Sequence, residues 1–190
     1  MIMKRYVLFA GVNGAGKTTL YQANPQLWDM PRVNMDEIVR SIGSWRNSED
    51  VFYAGLQAVR IIDKYFENGV SFNQETTLCG KSIIRYISRA KERGYSVEMH
   101  YVGLDSVETA KDRIHQRIQA GGHGVPDDEI ERRYDESLLC LTRIIPYCDQ
   151  VYLYDNSDRF LKIASFRNDS LTIISKTIPE WATGVIKSFI

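Results

Sequence analysis

At 190 residues and 44% hydrophobic composition, the chain is long enough to close one substantial core and too short to suggest two, so a single domain over residues 1–190 is expected. Basic and acidic residues balance at 24 each, and the dense basic clusters lie in helical patterns beside acidic neighbours, which disfavours a nucleic-acid partner. The three cysteines, Cys79, Cys140 and Cys148, are odd in number and form no CxxC pair, which suits reduced thiols in a cytoplasmic protein. The amino-terminal apolar run is too short for a signal peptide and no stretch reaches membrane-spanning length, so no membrane association is expected.

Residues 6–10 (YVLFA) read as a strand buried on both faces, and the loop after them opens a helix over 17–23. Residues 32–35 form a short candidate strand ending at Asp36, followed by the helical segment DEIVRSIG and a polar stretch in which Asn47 and Ser48 can cap the next helix. Over 51–68 the apolar residues Phe52, Leu56, Val59, Ile62 and Phe66 recur at helical spacing, until Gly69 provides a left-handed stop. A third strand, VSFNQE, precedes a helix over 81–93, a strand over 95–102 and a helix over 106–120. Gly121, Gly122 and Gly124 interrupt the pattern, Pro126 starts a helix reaching 145, and QVYLYD supplies a fifth strand.

This alternation predicts an α/β fold: a mainly parallel five-stranded sheet flanked by helices, with right-handed crossovers. Over 158–190, LKIASF and LTIIS flank RNDS in the manner of a hairpin, and PEWATGVIKSFI reads as a closing helix, both appended to the same domain.

The sharpest motif is GxxxxGK[ST], met by Gly11, Gly16, Lys17 and Thr18 between the first strand and the first helix. Glycines let the backbone turn tightly so that several N–H groups face one phosphate, Lys17 bridges the terminal phosphates, and Thr18 offers its hydroxyl to Mg²⁺. The nucleotide-binding set is therefore Gly11, Asn13, Gly14, Ala15, Gly16, Lys17, Thr18 and Thr19, with ATP or GTP as the ligand. A glycine-rich turn with a purely structural purpose is the competing reading. No NKxD string, no transporter signature and no motor-type acidic pair is present, which leaves a small kinase.

In such enzymes the acceptor lies at the carboxyl ends of the strands. Asp36 can accept the proton of a substrate hydroxyl there, or merely cap its helix. Glu75, with Thr76 and Thr77, sets a carboxylate and two hydroxyls at the same edge, with a turn role as the alternative. Arg117, Arg132 and Arg133 flank the glycine-rich GGHGVP, which can act as a lid, and at least one of them is expected to reach the γ-phosphate; solvated surface pairing is the plainer account. His123 lacks a second ligand at metal spacing and reads as structural or substrate-facing. Asn156 and Ser157 follow the fifth strand where a loop can pack on the nucleotide base, or form a simple Asx turn. Trp28, Trp45 and Tyr53 are candidates for stacking on the acceptor or for core packing.

In order and spacing, GVNGAGKTT, VNMDEI, NQETT, YVGLDS, QAGGHGVP with RRY after it, and YDNS resemble the zeta-toxin family of P-loop kinases over residues 6–157. The resemblance implies a fold related to nucleoside monophosphate kinases and phosphorylation of a sugar hydroxyl of UDP-N-acetylglucosamine or related nucleotide sugars. It implies Lys17 as the phosphate lysine, Thr18 as the Mg²⁺ contact, Asp36 as catalytic base, Glu75 with Thr77 as the acceptor-site pair, and stabilising arginines in Arg117 and one of Arg132 or Arg133. Lys81 is the residue that can replace the basic group following the Glu-x-Thr segment in nucleotide-sugar kinases. An antitoxin protein becomes a candidate partner. A nucleotide-binding switch or regulatory ATPase without a small-molecule acceptor is the alternative; it would be indifferent to Asp36→Asn.

Overall fold

In the computed structural model, which describes residues 3–80, 82–168 and 170–190, β1 (Lys4–Ala10) leads through the glycine loop into α1 (Lys17–Gln22). A 3₁₀ turn (Pro25–Leu27), β2 (Arg32–Val33), α2 (Met35–Ile42), α3 (Ser48–Glu67), β3 (Phe72–Thr76), α4 (Ser82–Glu92) and β4 (Tyr95–Gly103) follow. The second half comprises α5 (Val107–Gln119), α6 (Asp127–Ile144), another 3₁₀ turn (Ile145–Tyr147), β5 (Gln150–Asp155), β6 (Leu161–Arg167), β7 (Ser170–Ile173) and α7 (Glu180–Lys187).

The described strands join one sheet in the order β2-β3-β1-β4-β5-β6-β7, parallel from β2 to β5 and antiparallel beyond. The carboxyl-terminal hairpin is thus part of the sheet: β6 pairs along β5, Val151 opposite Phe166 and Leu153 opposite Ala164, and covers an edge that would otherwise expose a row of unpaired backbone groups. β1 lies near the middle, which is why YVLFA is apolar without alternation; every one of those five residues is buried.

One face of the sheet, including Tyr6, Leu8, Val97, Met99 and Tyr101, packs against α3, α4, α6 and α7. The other, including Val7, Phe9 and Val102, packs against Leu20, Leu27, Ala110, Ile114 and Ile130. In α3 the buried stripe is Ala54, Ala58, Ile62 and Phe66, a strict i, i+4 row, whereas Phe52, Leu56 and Val59 of the expected row are exposed. α3 runs close beside α2, whose Met35 and Ile38 pack on the same core as Ala58 and Ile62.

α7 closes the structure over β4 and β5. Trp181 lies so tightly on Gly103 that a Cβ there would fall 2.4 Å from its ring, and its Nε1 donates to Asp155 Oδ1 at 2.9 Å. Asp155 also accepts the Ser157 hydroxyl at 2.7 Å, which fixes the loop after β5. None of the described helices is long and apolar enough to cross a membrane.

Candidate active site

Parallel pairing from β2 to β5 sets the carboxyl ends of those strands along one edge, where a cleft of about 1370 Å³ opens between the glycine loop, α2, the end of β3 and the α5–α6 connection. Gly11, Gly14 and Gly16 have φ of 136°, 77° and 98°. At Gly11 a side chain is excluded twice, since a Cβ would also lie 2.2 Å from the Val102 carbonyl oxygen of β4. Gly16 opens α1, and Lys17, 7% exposed, folds back so that Nζ donates to the Gly11 and Val12 carbonyls, both at 2.9 Å. Burial lowers the Lys17 pKa, and the nearby Glu75 and Asp36 carboxylates oppose that shift.

The loop is braced from the far side. Asn156 Nδ2 donates to the Ala15 carbonyl at 2.9 Å, so its amide holds the phosphate loop's backbone. Arg113 reaches the Ser157 carbonyl at 3.0 Å from α5. Gly14, Asn13 and Thr18 line the cleft, while Ala15 is buried beneath the loop and Thr19 points outward.

Glu75 stands beside the phosphate loop. Its Oε2 accepts from Arg32 at 2.6 Å, Asn34 Nδ2 at 2.9 Å and the Thr18 hydroxyl at 3.0 Å. The Arg32 guanidinium in turn lies 4.0 Å over the Tyr21 ring and pairs with Glu37 at 3.1 Å. Thr77 lines the cleft two residues further on, past Thr76, whose hydroxyl accepts the Leu78 N–H at 3.0 Å. Leu78 is buried with φ of 64°, a strained conformation for a branched side chain. Lys81 lies outside the described residues.

Asp36 is the second residue of α2, and the cap of that helix is Asn34, whose Oδ1 accepts from Asp36 N at 2.8 Å and Glu37 N at 3.4 Å. The Asp36 carboxylate therefore faces the cleft without a capping duty, with Oδ2 3.9 Å from Arg117 of α5. Asn34 and Arg32, which hold Glu75, are the residues around the site that sequence reasoning missed. The signal for Asn34 was available: Asn followed three positions later by Glu37 has the spacing of a capping box.

The three arginines that flank the α5–α6 connection differ in their engagements. Arg117 Nε donates to the His123 carbonyl at 2.8 Å. Arg133 pairs with Glu129 at 2.7 Å and reaches Asn13 Oδ1 of the phosphate loop at 3.3 Å. Arg132, more exposed, is spent on Glu129 at 2.9 Å and Glu136 at 2.6 Å. Hydrogen bonds from Arg132 hold Glu129 down at about 2, against burial and with help from Arg133. The His123 imidazole stacks on Trp45 with centroids 3.8 Å apart and planes at 17°. Burial is the main cause of its lowered pKa; Asp36 opposes that shift, and Arg117 and Arg133 reinforce it. Of the three candidate stacking aromatics, Trp45 lines the cleft, whereas Trp28 and Tyr53 are mostly exposed elsewhere, Trp28 donating to the Tyr21 carbonyl at 3.2 Å.

The zeta toxin family model matches residues 3–160. The chain belongs to the zeta toxin family. An uncharacterized protein of Haemophilus influenzae is 30% identical to this family member over 134 residues, 70% of this chain and 95% of that protein. Among solved structures, AvrRxo1-ORF1:-ORF2 with ATP matches at a TM-score of 0.73 and 18% identity, covering 97% of this chain but 63% of that one. The PezAT chromosomal toxin-antitoxin system of Streptococcus pneumoniae matches at a TM-score of 0.63 and 14% identity, over 100% of this chain and 85% of that one. At such identities the likeness is one of fold: this zeta toxin family member shares the α/β architecture of those two structures.

Proposed function

We propose that this protein is an ATP-dependent small-molecule kinase that transfers the γ-phosphate to a hydroxyl group, with nucleotide sugars such as UDP-N-acetylglucosamine as the leading acceptor class. The observation that carries the reading is the Asp36 carboxylate, freed from capping by Asn34, facing the cleft and close enough to Lys17 to act on its ammonium. A carboxylate placed between an acceptor hydroxyl and the terminal phosphate accepts the hydroxyl proton and holds the oxygen in line, a role that depends on position more than on basicity. Lys17 carries the phosphates, and Arg117 and Arg133 are the lid cations aimed at the transferred group. Arg132 is the weaker candidate because both ends of its guanidinium are already paired.

Thr18 and Glu75 present two hard oxygen donors 3.0 Å apart at the phosphate loop, a set suited to Mg²⁺, which keeps several waters and takes few protein ligands. The ion, when bound, neutralises charge on the phosphate oxygens. Glu75 is therefore read as belonging to the phosphate end, with Thr77 and the α2–α3 segment left for the acceptor. The ATP in the AvrRxo1 structure favours ATP over GTP here, and the PezAT system favours an antitoxin as protein partner. A cytoplasmic location is in keeping with three unpaired thiols.

The test is transfer from γ-labelled ATP with Mg²⁺ to a panel of nucleotide sugars, nucleosides and amino sugars, comparing wild type with Lys17→Ala and Asp36→Asn. A labelled product is expected, absent with Lys17→Ala and reduced by about 100-fold or more with Asp36→Asn. If ATP binds while no acceptor is labelled and Asp36→Asn turns over ATP normally, the kinase reading fails in favour of a nucleotide switch.

A further inference from the structure

The segment joining α5 to α6 holds Gly121, Gly122 and Gly124, a composition that gives a backbone little reason to keep one conformation. Yet it is folded back on the last turn of α5. Gly122 N–H donates to the Arg117 carbonyl at 2.8 Å, and a Cβ on Gly122 would lie 2.6 Å from Arg117 Cγ. The side chain that secures this fold comes from the opposite wall: Trp45, between α2 and α3, stacks on His123 at 3.8 Å. That near-parallel contact is closer than most aromatic pairs. Trp45 Nε1 is buried and finds no hydrogen-bond partner among the described residues, so the contact that holds the ring is the one through its face.

We propose that Trp45 and His123 form an aromatic clasp across the cleft that positions Arg117 for the terminal phosphate of the bound nucleotide. The clasp fixes the His123 backbone, whose carbonyl accepts Arg117 Nε at 2.8 Å; this leaves the far end of the guanidinium directed into the cleft, 3.9 Å from Asp36. Arg117 is also close enough to Lys17 to depress that ammonium's pKa, which puts its charge within reach of the phosphates that Lys17 would hold. Both rings are positioning residues: they act through Arg117. The inference rests on the reading that the cleft takes a nucleoside triphosphate and is independent of the acceptor.

The experiment compares dissociation constants for ATP and ADP, each with Mg²⁺, by calorimetry on the full chain. Arg117→Ala is expected to weaken ATP about tenfold or more while leaving ADP within about twofold, because a charge-assisted contact to the terminal phosphate is lost. Trp45→Ala and His123→Ala should each reproduce that selective loss, and the double variant should fall no further than the worse single. His123→Phe, which keeps a flat ring against Trp45, should restore the wild-type ATP-to-ADP ratio, an outcome that a general loosening of the fold would not produce. ADP affinity reports folding in every variant. The clasp is refuted if Trp45→Ala and His123→Ala keep the wild-type ratio, if Arg117→Ala does, or if His123→Phe is as impaired as His123→Ala. Failure of the kinase reading would appear separately, as unlabelled acceptors with this ratio intact.

Discussion

Glu75→Gln should cost far more stability than a carboxylate-to-amide change at a sheet edge would suggest. Glu75 and Arg32 are 15% and 10% exposed at their side chains and 2.6 Å apart. With an effective dielectric constant of about 20, two unit charges at that separation attract by about 6 kcal/mol, of which desolvation of both ends takes back roughly half. Replacing one partner leaves Arg32 enclosed between the Tyr21 ring and the solvent-facing Glu37, with a cost of about 3 kcal/mol. For a chain of 190 residues that corresponds to a fall in Tm of roughly 6–12 °C. Thermal unfolding followed by circular dichroism would measure it, alongside Arg32→Met and the double variant. The double variant should lose about 2 kcal/mol less than the sum of the singles, since the two buried charges are then removed together and neither is left without the other. A Tm for Glu75→Gln within about a degree of wild type, or strict additivity, would refute the account of Glu75 as a buried anchor.

Two further expectations concern Glu98 and Gly11. Burial alone would raise Glu98, but hydrogen bonds from His100 and Arg5 prevail and hold it at about 2, below its ordinary 4.5. Its stabilisation is therefore complete above the unfolded value and lost as pH falls from about 4.5 toward 2, by an amount on the order of 3 kcal/mol. Urea midpoints at pH 5, 4 and 3 should flatten in Glu98→Gln relative to wild type; parallel losses in both would sink the argument. Gly11→Ala combines a φ of 136° with a 2.2 Å approach to a β4 carbonyl, and should cost more than about 3 kcal/mol. Soluble yield and melting temperature measure it, and a melt near that of wild type would show that β4 can yield.

What the sequence discloses is what is encoded locally. The phosphate loop is legible because spacing, glycine and a flanking apolar strand all sit within a few residues. The helices α4, α5 and α6 are legible from single local signals: Gly94 follows α4, Pro126 precedes α6, and Ser106 bounds α5 by accepting from Thr109 N–H at 3.1 Å. Periodicity serves less well in α3. There apolar residues occur on more than one face, and only the packing of the folded chain decides that Ala54 and Ala58 point inward. Strand order is absent from local signals, so neither the place of β3 beside β1 nor the joining of β6 to β5 is readable before the chain is folded.

The site divides in the same way. Lys17 and Thr18 are local features. The union of Arg32, Asn34 and Thr18 on one oxygen of Glu75 spans 57 positions of chain and exists only through parallel pairing of β2, β3 and β1. His123 and Trp45 each look isolated in sequence because their partner is supplied by the opposite wall of the cleft.

The family's shared sequence stops at residue 160, but the mechanical path to its central loop does not. Trp181 of α7 ties Asp155, Asp155 ties Ser157, and the adjoining Asn156 grips the Ala15 carbonyl 141 positions upstream. A truncation drawn at the family boundary would cut a tension member of the phosphate loop while leaving every motif residue in place. Substitutions around Trp181 would then loosen the glycine loop from a distance, through Asp155 and Asn156, although Trp181 lies outside the span that the family model matches.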